Sequence, residues 1–221
     1  GDLEERLRLA ADTVAAVIIE PMLQGAGGMI VWPAEFLAGV RALCDRYGAL
    51  LIADEVMTGF GRTGRMFACE HARVSPDLLC LSKALTAGYM PMAATLATEA
   101  VYDAFLSEDR ARTFFHGHSF TANPLACAVA IASLNLFREE QTLQRVSRLE
   151  QAMSAGLAPF RELPMVGDAM DLQSECAGHC HALMGSLQDA LIRLENGCNV
   201  GDEVLEKIRA RIPRAFRCGA C

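Results

Sequence analysis

One lysine and one aspartate follow two apolar segments of the sequence. Residues 77–81 lead through Ser82 to Lys83, and residues 50–53 lead to Asp54. Short, continuous apolar segments of this kind are typical of buried parallel strands. Because parallel strands place their carboxyl ends at one edge of a sheet, we expect the amine and the acid at the same edge, where α/β sheets bind ligands.

Together, Lys83 and Asp54 suit the chemistry of pyridoxal phosphate. A lysine amine freed from its proton by burial can attack an aldehyde and form a Schiff base. A carboxylate beside the pyridine nitrogen keeps that nitrogen protonated and the ring an electron sink. Taken singly, each residue also has an ordinary explanation: Lys83 could extend from a strand end into solvent, and Asp54 could cap a loop.

Four ordered segments resemble the class III aminotransferases: IEP (residues 19–21), ADEVMTGFGRTG (53–64), LSKA (81–84) and HGHSFTANPLA (116–126). The resemblance covers residues 1–168. It implies an α/β fold that is part of the large domain of the fold-type I pyridoxal-phosphate transferases, with a mainly parallel sheet flanked by helices. Residues 169–221 resemble nothing in that family, and we expect a cysteine-rich helical tail there.

The resemblance implies roles for individual residues. Lys83 and Asp54 are the catalytic pair: Lys83 binds the cofactor aldehyde and then moves protons, and Asp54 pairs with the ring nitrogen. Val56 packs on the ring face. Glu20 is a second acidic residue near the site, although capping the loop after its strand explains it almost as well. Ser119 binds the cofactor phosphate of the neighbouring subunit, which implies a homodimer with its site at the interface.

The residue at position 57 bears on the substrate. Family members that act on γ-aminobutyrate or ornithine usually carry glutamine there, whereas Met57 is apolar and fits a long keto-amine. The closest resemblance is to members that transfer the amine of S-adenosylmethionine to 8-amino-7-oxononanoate in biotin synthesis. Two alternatives stay open: another class III aminotransferase acting on an ω-amino acid or amine, and an inactive fragment that serves only as a binding piece.

Parts of the family pattern are not found in this sequence. The glycine-serine loop for the phosphate and the aromatic residue that stacks on the ring would precede residue 1, and the small-domain arginine for the substrate carboxylate is not recognised. We therefore expect weak cofactor binding and an unusually large exposed apolar surface, to which the apolar helix predicted over residues 123–137 contributes.

Composition excludes several classes of protein. The 221 residues are 52% hydrophobic, which is typical of a globular protein with one sizeable core. A net charge of −7 without a basic block argues against binding nucleic acid. No apolar run approaches the roughly 18 residues of a membrane span, and the acidic start does not resemble a signal peptide. These features favour a cytoplasmic protein.

The nine cysteines do not form a secreted disulfide pattern. Cys44, Cys69, Cys80 and Cys127 lie among apolar or small residues, and we expect reduced core thiols. The other five fall in the tail: Cys176, Cys180, Cys198, Cys218 and Cys221. With His179 and His181 they could bind zinc. However, the pair Cys176 and Cys180 is farther from the pair Cys218 and Cys221 than is usual in zinc fingers. We therefore expect no metal.

Periodicity predicts the elements that must position these residues. The pattern indicates helices over residues 3–11, 33–47, 98–105, 123–137 and 139–157, and strands over 15–19, 49–53, 77–81 and 91–97. Strand, helix and strand in succession predict a parallel βαβ unit.

Overall fold

The computed structural model describes residues 1–10 and 12–159. The chain forms two compact units, residues 1–143 and 144–221, and the second is described only over 144–159, where it is helical. The tail predicted over residues 169–221, with its cysteines and histidines, lies outside the described residues. The domain boundary at residue 168 therefore stays a prediction.

Six strands and five α-helices make up the described part of the chain. The strands are β1 (Ala16–Ile19), β2 (Leu23–Gln24), β3 (Ile30–Val31), β4 (Leu50–Asp54), β5 (Leu78–Leu81) and β6 (Ala94–Ala97). The helices are α1 (Asp2–Ala10), α2 (Ala34–Tyr47), α3 (Glu99–Asp103), α4 (Pro124–Glu139) and α5 (Thr142–Leu157).

The central sheet has the strand order β1-β4-β5-β6. The first three of these strands run parallel, with Ile19 beside Ala53 and Asp54 beside Cys80. β6 runs antiparallel to β5. The predicted α/β fold with a mainly parallel sheet is confirmed, and β6 adds an antiparallel edge. A separate antiparallel pair, β2 and β3, forms from the glycine-rich segment after β1.

Helix α2 connects β1 to β4 and covers one face of the sheet. Its buried residues Leu37, Val40 and Cys44 pack against Leu51 and Ala53 of β4. Pro33 precedes the helix as its N-cap, so the helix begins one residue later than predicted. Gly48 ends the helix as predicted: it adopts a φ of 70°, and its N–H donates to the Cys44 carbonyl.

The four cysteines of the described residues are free thiols, as predicted. Cys44 and Cys69 are buried, whereas Cys80 and Cys127 are partly buried. Burial raises the pKa of the Cys44 and Cys69 thiols, so both stay protonated at neutral pH.

Neither a membrane helix nor a metal cluster is found in the described part of the chain. Within residues 1–10 and 12–159, no helix combines the length and the apolar character needed to cross a bilayer. In the same residues, no group of three or more histidine, cysteine, aspartate or glutamate side chains is placed to hold a metal ion.

Candidate active site

Asp54 and Lys83 lie at the same edge of the sheet, as the strand pattern predicts. Asp54 is the last residue of β4 and pairs in register with Cys80 of β5. The pairing continues one step further, since the backbone N–H of Glu55 donates to the Cys80 carbonyl at 3.0 Å. Lys83 follows β5 after Ser82 and begins a 3₁₀ turn, Lys83–Thr86. Parallel pairing therefore delivers a carboxylate and an amine to neighbouring strand ends.

The backbone of Lys83 is held in an uncommon conformation. Its φ of 41° lies in the left-handed region, which non-glycine residues rarely adopt and which costs on the order of 1–3 kcal/mol. Two hydroxyl groups flank it: Ser82 Oγ donates to the Met92 carbonyl at 2.7 Å, and Thr86 Oγ1 donates to the Met90 carbonyl at 2.5 Å. These bonds attach both ends of the lysine turn to the segment that leads into β6.

Apolar packing also anchors the turn that begins at Lys83. Leu81 and Leu85, on either side of Lys83, are buried in one cluster with Phe60 and with Ala130 of α4. The turn is thus fixed by its apolar neighbours, and strain at such a position is typical of functional sites.

The burial expected around Lys83 is not found. Its side chain is exposed, and so are Ala87 and Gly88 on the same turn. The small residues that follow Lys83 leave space around the amine, but they are too small to cover it. The described residues therefore leave this amine uncovered.

Asp54 lies at the wall of an open cavity of about 390 Å³ between the ends of β1 and β4. Its Oδ1 accepts a hydrogen bond of 3.1 Å from the Val56 N–H, so part of its carboxylate caps the following turn. Asp54 is partly buried and lines this cavity. Ile18, Ile19, Glu20, Gln24, Trp32 and Phe36 line the remainder of the cavity.

Glu20 reaches the same cavity and anchors the loop after β1. Its Oε2 accepts a hydrogen bond of 2.9 Å from the Gly25 N–H. This contact supports the loop-capping explanation for Glu20, while its place on the cavity wall beside Asp54 leaves a role in binding open. Gly25 in turn lies against Met57: a Cβ at position 25 would be 2.5 Å from the Met57 sulfur. The loop and the predicted substrate residue are therefore in direct contact.

The other two predicted residues have different surroundings. Val56 is partly buried beside Asp54. Ser119 lies in an exposed stretch, residues 102–122, that also carries the exposed aromatic side chains Phe114, Phe115 and Phe120. Within residues 1–10 and 12–159, the structure gathers Asp54, Glu20 and Met57 near one cavity and leaves Ser119 on the open surface.

Sequence reasoning missed two residues of the glycine-rich segment 59–64. Arg62 Nε and Thr63 Oγ1 are buried without a hydrogen-bond partner among the described residues. Burial also lowers the pKa of the Arg62 guanidinium. The available signal was an arginine between glycines two residues from Phe60, because a charged residue in a tightly turning segment is seldom there for solubility alone.

The comparisons with known proteins agree with this geometry. The family model for class III aminotransferases matches residues 2–170. The chain is 56% identical over 168 residues to the adenosylmethionine-8-amino-7-oxononanoate aminotransferase of Geobacter sulfurreducens, covering 76% of this chain and 37% of that protein.

Solved structures give the same result. The enzyme of that same name from Methanocaldococcus jannaschii superimposes with a TM-score of 0.72 at 38% identity, over 75% of this chain and 39% of its own. A PLP-bound amine transaminase from an uncultivated Pseudomonas species gives a TM-score of 0.68 at 42% identity, over 73% and 36%.

The chain spans little more than a third of the length of these relatives. Within that span, the family model covers the strands that carry Asp54 and Lys83. The chain therefore belongs to the class III aminotransferase family, with the α/β fold of fold type I.

Proposed function

We propose that this chain supplies the lysine and aspartate of a pyridoxal-phosphate site in an aminotransferase of biotin synthesis. The reaction would transfer the amino group of S-adenosylmethionine to 8-amino-7-oxononanoate and give 7,8-diaminononanoate. One observation carries the proposal: the parallel β4–β5 pair, in which Asp54 faces Cys80, brings Asp54 and Lys83 to one edge of the sheet.

The residues present fit two ends of the cofactor. Lys83 offers an exposed primary amine for the aldehyde. Asp54, on the wall of the cavity of about 390 Å³, offers a carboxylate for the ring nitrogen. When bound, pyridoxal phosphate supplies an electron sink for the bond-breaking step. The fit supports pyridoxal phosphate as the cofactor of this chain.

Each residue has a defined task in this proposal. Lys83 Nζ would hold the cofactor at its aldehyde carbon and, when free, would move a proton between the reacting carbons. Asp54 holds a proton on the ring nitrogen by hydrogen bonding and by its charge. Val56, beside Asp54, limits movement of the ring by apolar contact. Ser119, on its exposed stretch, binds the phosphate held by a second copy of the chain in a homodimer.

Met57 is the proposed substrate-binding residue. Its contact with Gly25 leaves an apolar thioether next to the cavity that Glu20 and Asp54 line. An apolar surface there suits the alkyl chain of 8-amino-7-oxononanoate. The cytoplasm is the proposed compartment, because the four free thiols of the described residues fit a reducing environment.

A different amine donor is the second candidate function. It is favoured by the 42% identity to an amine transaminase. The experiment is a single turnover of the chain with pyridoxal phosphate and either S-adenosylmethionine or an ω-amino acid, with pyridoxamine phosphate measured by chromatography and Lys83→Ala as the control. Pyridoxamine phosphate formed with S-adenosylmethionine but not with the ω-amino acid supports the proposal. Pyridoxamine phosphate formed only with the ω-amino acid would replace it with the second candidate.

A further inference from the structure

Glu55, the residue after Asp54, is a fully buried carboxylate that accepts three hydrogen bonds. Its exposed fraction is 0%. Oε2 accepts from Thr58 Oγ1 at 2.9 Å and from the Ala68 N–H at 2.8 Å, and Oε1 accepts from the Cys69 N–H at 2.8 Å. It takes part in none of the ion pairs formed within residues 1–10 and 12–159. A buried carboxylate is tolerated only when its oxygens are bound in this way.

The backbone of Glu55 is bound as completely as its side chain. Its N–H donates to the Cys80 carbonyl at 3.0 Å, and its own carbonyl accepts from the Gly59 N–H at 3.0 Å. A Cβ at position 59 would lie 2.8 Å from that carbonyl oxygen, so the close approach requires glycine. Glu55 therefore joins the end of β5, the start of the following loop and, through its side chain, the far end of that loop.

The loop closed by Glu55 contains residues with proposed roles at the site. Val56 and Met57 form its first turn, and the Val56 N–H donates to Asp54 Oδ1 at 3.1 Å. Its far end is the 3₁₀ turn Ala68–His71, in which Ala68 and Cys69 are buried. Because the buried turn cannot move freely, the bonds from Ala68 and Cys69 to Glu55 also limit the movement of Val56 and of the Asp54 carboxylate.

We propose that Glu55 is a positioning residue, whose buried carboxylate holds residues 56–69 so that the Val56 N–H fixes the Asp54 carboxylate for the pyridine nitrogen. The inference rests on the proposed function, in which Asp54 binds that nitrogen. Glu55 itself touches no reacting atom and acts through the loop.

Glu55→Gln tests whether the buried carboxylate holds residues 56–69 in place. A glutamine has one acceptor oxygen, so its amide nitrogen would face the N–H of Ala68 or of Cys69 and one bond would be lost. Glu70→Gln is the matched control, because Glu70 is an exposed carboxylate on the same 3₁₀ turn, and it accepts from the Phe67 N–H at 2.9 Å. If Glu55→Gln fails to fold, Thr58→Val removes a single donor and should act in the same direction, more weakly.

Hydrogen exchange of the whole chain, followed by mass spectrometry, measures the effect. In Glu55→Gln we expect amides 56–69 to exchange about tenfold faster, while those of β1 and residues 50–53 exchange at the wild-type rate. Glu70→Gln should leave the exchange rates of Val56 and Met57 at the wild-type values. Unchanged protection of residues 56–69 in Glu55→Gln would overturn the inference.

A second readout separates positioning from general destabilisation. Lys83 is labelled with borohydride and either pyridoxal phosphate or an analogue with carbon in place of the ring nitrogen. Glu55→Gln should lower labelling by pyridoxal phosphate several-fold and leave labelling by the analogue unchanged, since only the first depends on Asp54. An equal loss with both aldehydes would overturn the role of Glu55, whereas no label on Lys83 in the wild-type chain would contradict the proposed function instead.

Discussion

Asp54 and Cys80 face each other in the parallel pair formed by β4 and β5, and this register sets the geometry of the site. Asp54 ends its strand there, whereas β5 continues through Leu81 before Ser82 leads to Lys83. The carboxylate and the amine consequently extend from adjacent strands at one edge of the sheet. Their separation along the chain is spanned by one crossover, which is the connection that parallel strands require.

The Asp54 carboxylate is expected to be essential for cofactor chemistry. Asp54→Asn keeps the shape and removes the charge, so the ring nitrogen would lose the group that keeps it protonated. We expect pyridoxal phosphate to bind more weakly and amine transfer to slow by about 100-fold or more, as when one charge-stabilising group is removed. The measurement is the single-turnover rate followed by absorbance. Asp12→Asn is the matched control, because it makes the same change at an exposed carboxylate before β1, and a wild-type rate in Asp54→Asn would refute the assignment.

A partly buried ion pair at the other end of β5 is expected to stabilise the fold. Asp77 Oδ2 accepts from Arg41 Nη1 and from the Leu51 N–H, both at 2.7 Å. Burial tends to raise the pKa of the Asp77 carboxyl, but these two hydrogen bonds outweigh it and hold the pKa below its usual value. Asp77→Ala should lower the free energy of unfolding at pH 7 by about 1–3 kcal/mol.

The pH dependence of that stabilisation follows from the direction of the shift. Because the folded-state pKa of Asp77 is depressed, its contribution is complete above the unfolded-state pKa of about 3.9 and is lost as the pH falls through the folded value. Urea unfolding of wild type and Asp77→Ala should differ at pH 7 and converge near the acid limit. The control is Asp2→Ala, which removes an exposed pair with Arg6 and should cost about 0.5 kcal/mol or less. A difference that persists unchanged in acid would contradict this account.

Helix α4 is expected to promote self-association. Leu125, Ile131 and Leu136 are exposed by 69%, 60% and 56%, so the helix presents apolar side chains to solvent. Exposed apolar patches of this kind favour association. Light scattering of the wild-type chain should show oligomers or aggregates, and Ile131→Lys should reduce them. Asn135→Lys adds the same charge at an exposed polar position of the helix and should have less effect; a monodisperse wild-type monomer would contradict the prediction.

Much of the sheet could be predicted because local sequence patterns are sufficient to indicate its strands. The apolar segments before Asp54 and Lys83 indicated parallel strands, and Gly48 indicated the end of α2. The direction of β6 could not be predicted. The sequence of a short strand does not indicate which strand lies beside it or whether the two run parallel. The predicted helix over 139–157 begins only at Thr142, because Gln141 adopts a φ of 50° and interrupts it after α4.

The features that the sequence did not reveal depend on contacts between distant residues. Nothing in the sequence distinguishes Glu55 from an ordinary acid after a strand, and its partners Ala68 and Cys69 come from a turn that only the folded loop brings to it. The exposure of Lys83 was missed for a related reason. The amine was expected to be buried, but what covers a side chain is decided by segments that are remote in sequence.

The most direct test of the central claim is the site of reductive labelling by pyridoxal phosphate. The sequence contains only two lysines, Lys83 and Lys207, so borohydride reduction followed by peptide mass spectrometry compares one candidate with one internal reference. We expect a pyridoxyl group on Lys83 well in excess of Lys207, its loss in Lys83→Ala and its retention in Lys207→Ala. Equal labelling of both lysines, or label on Lys207 alone, would contradict the claim that Lys83 at the end of β5 binds the cofactor.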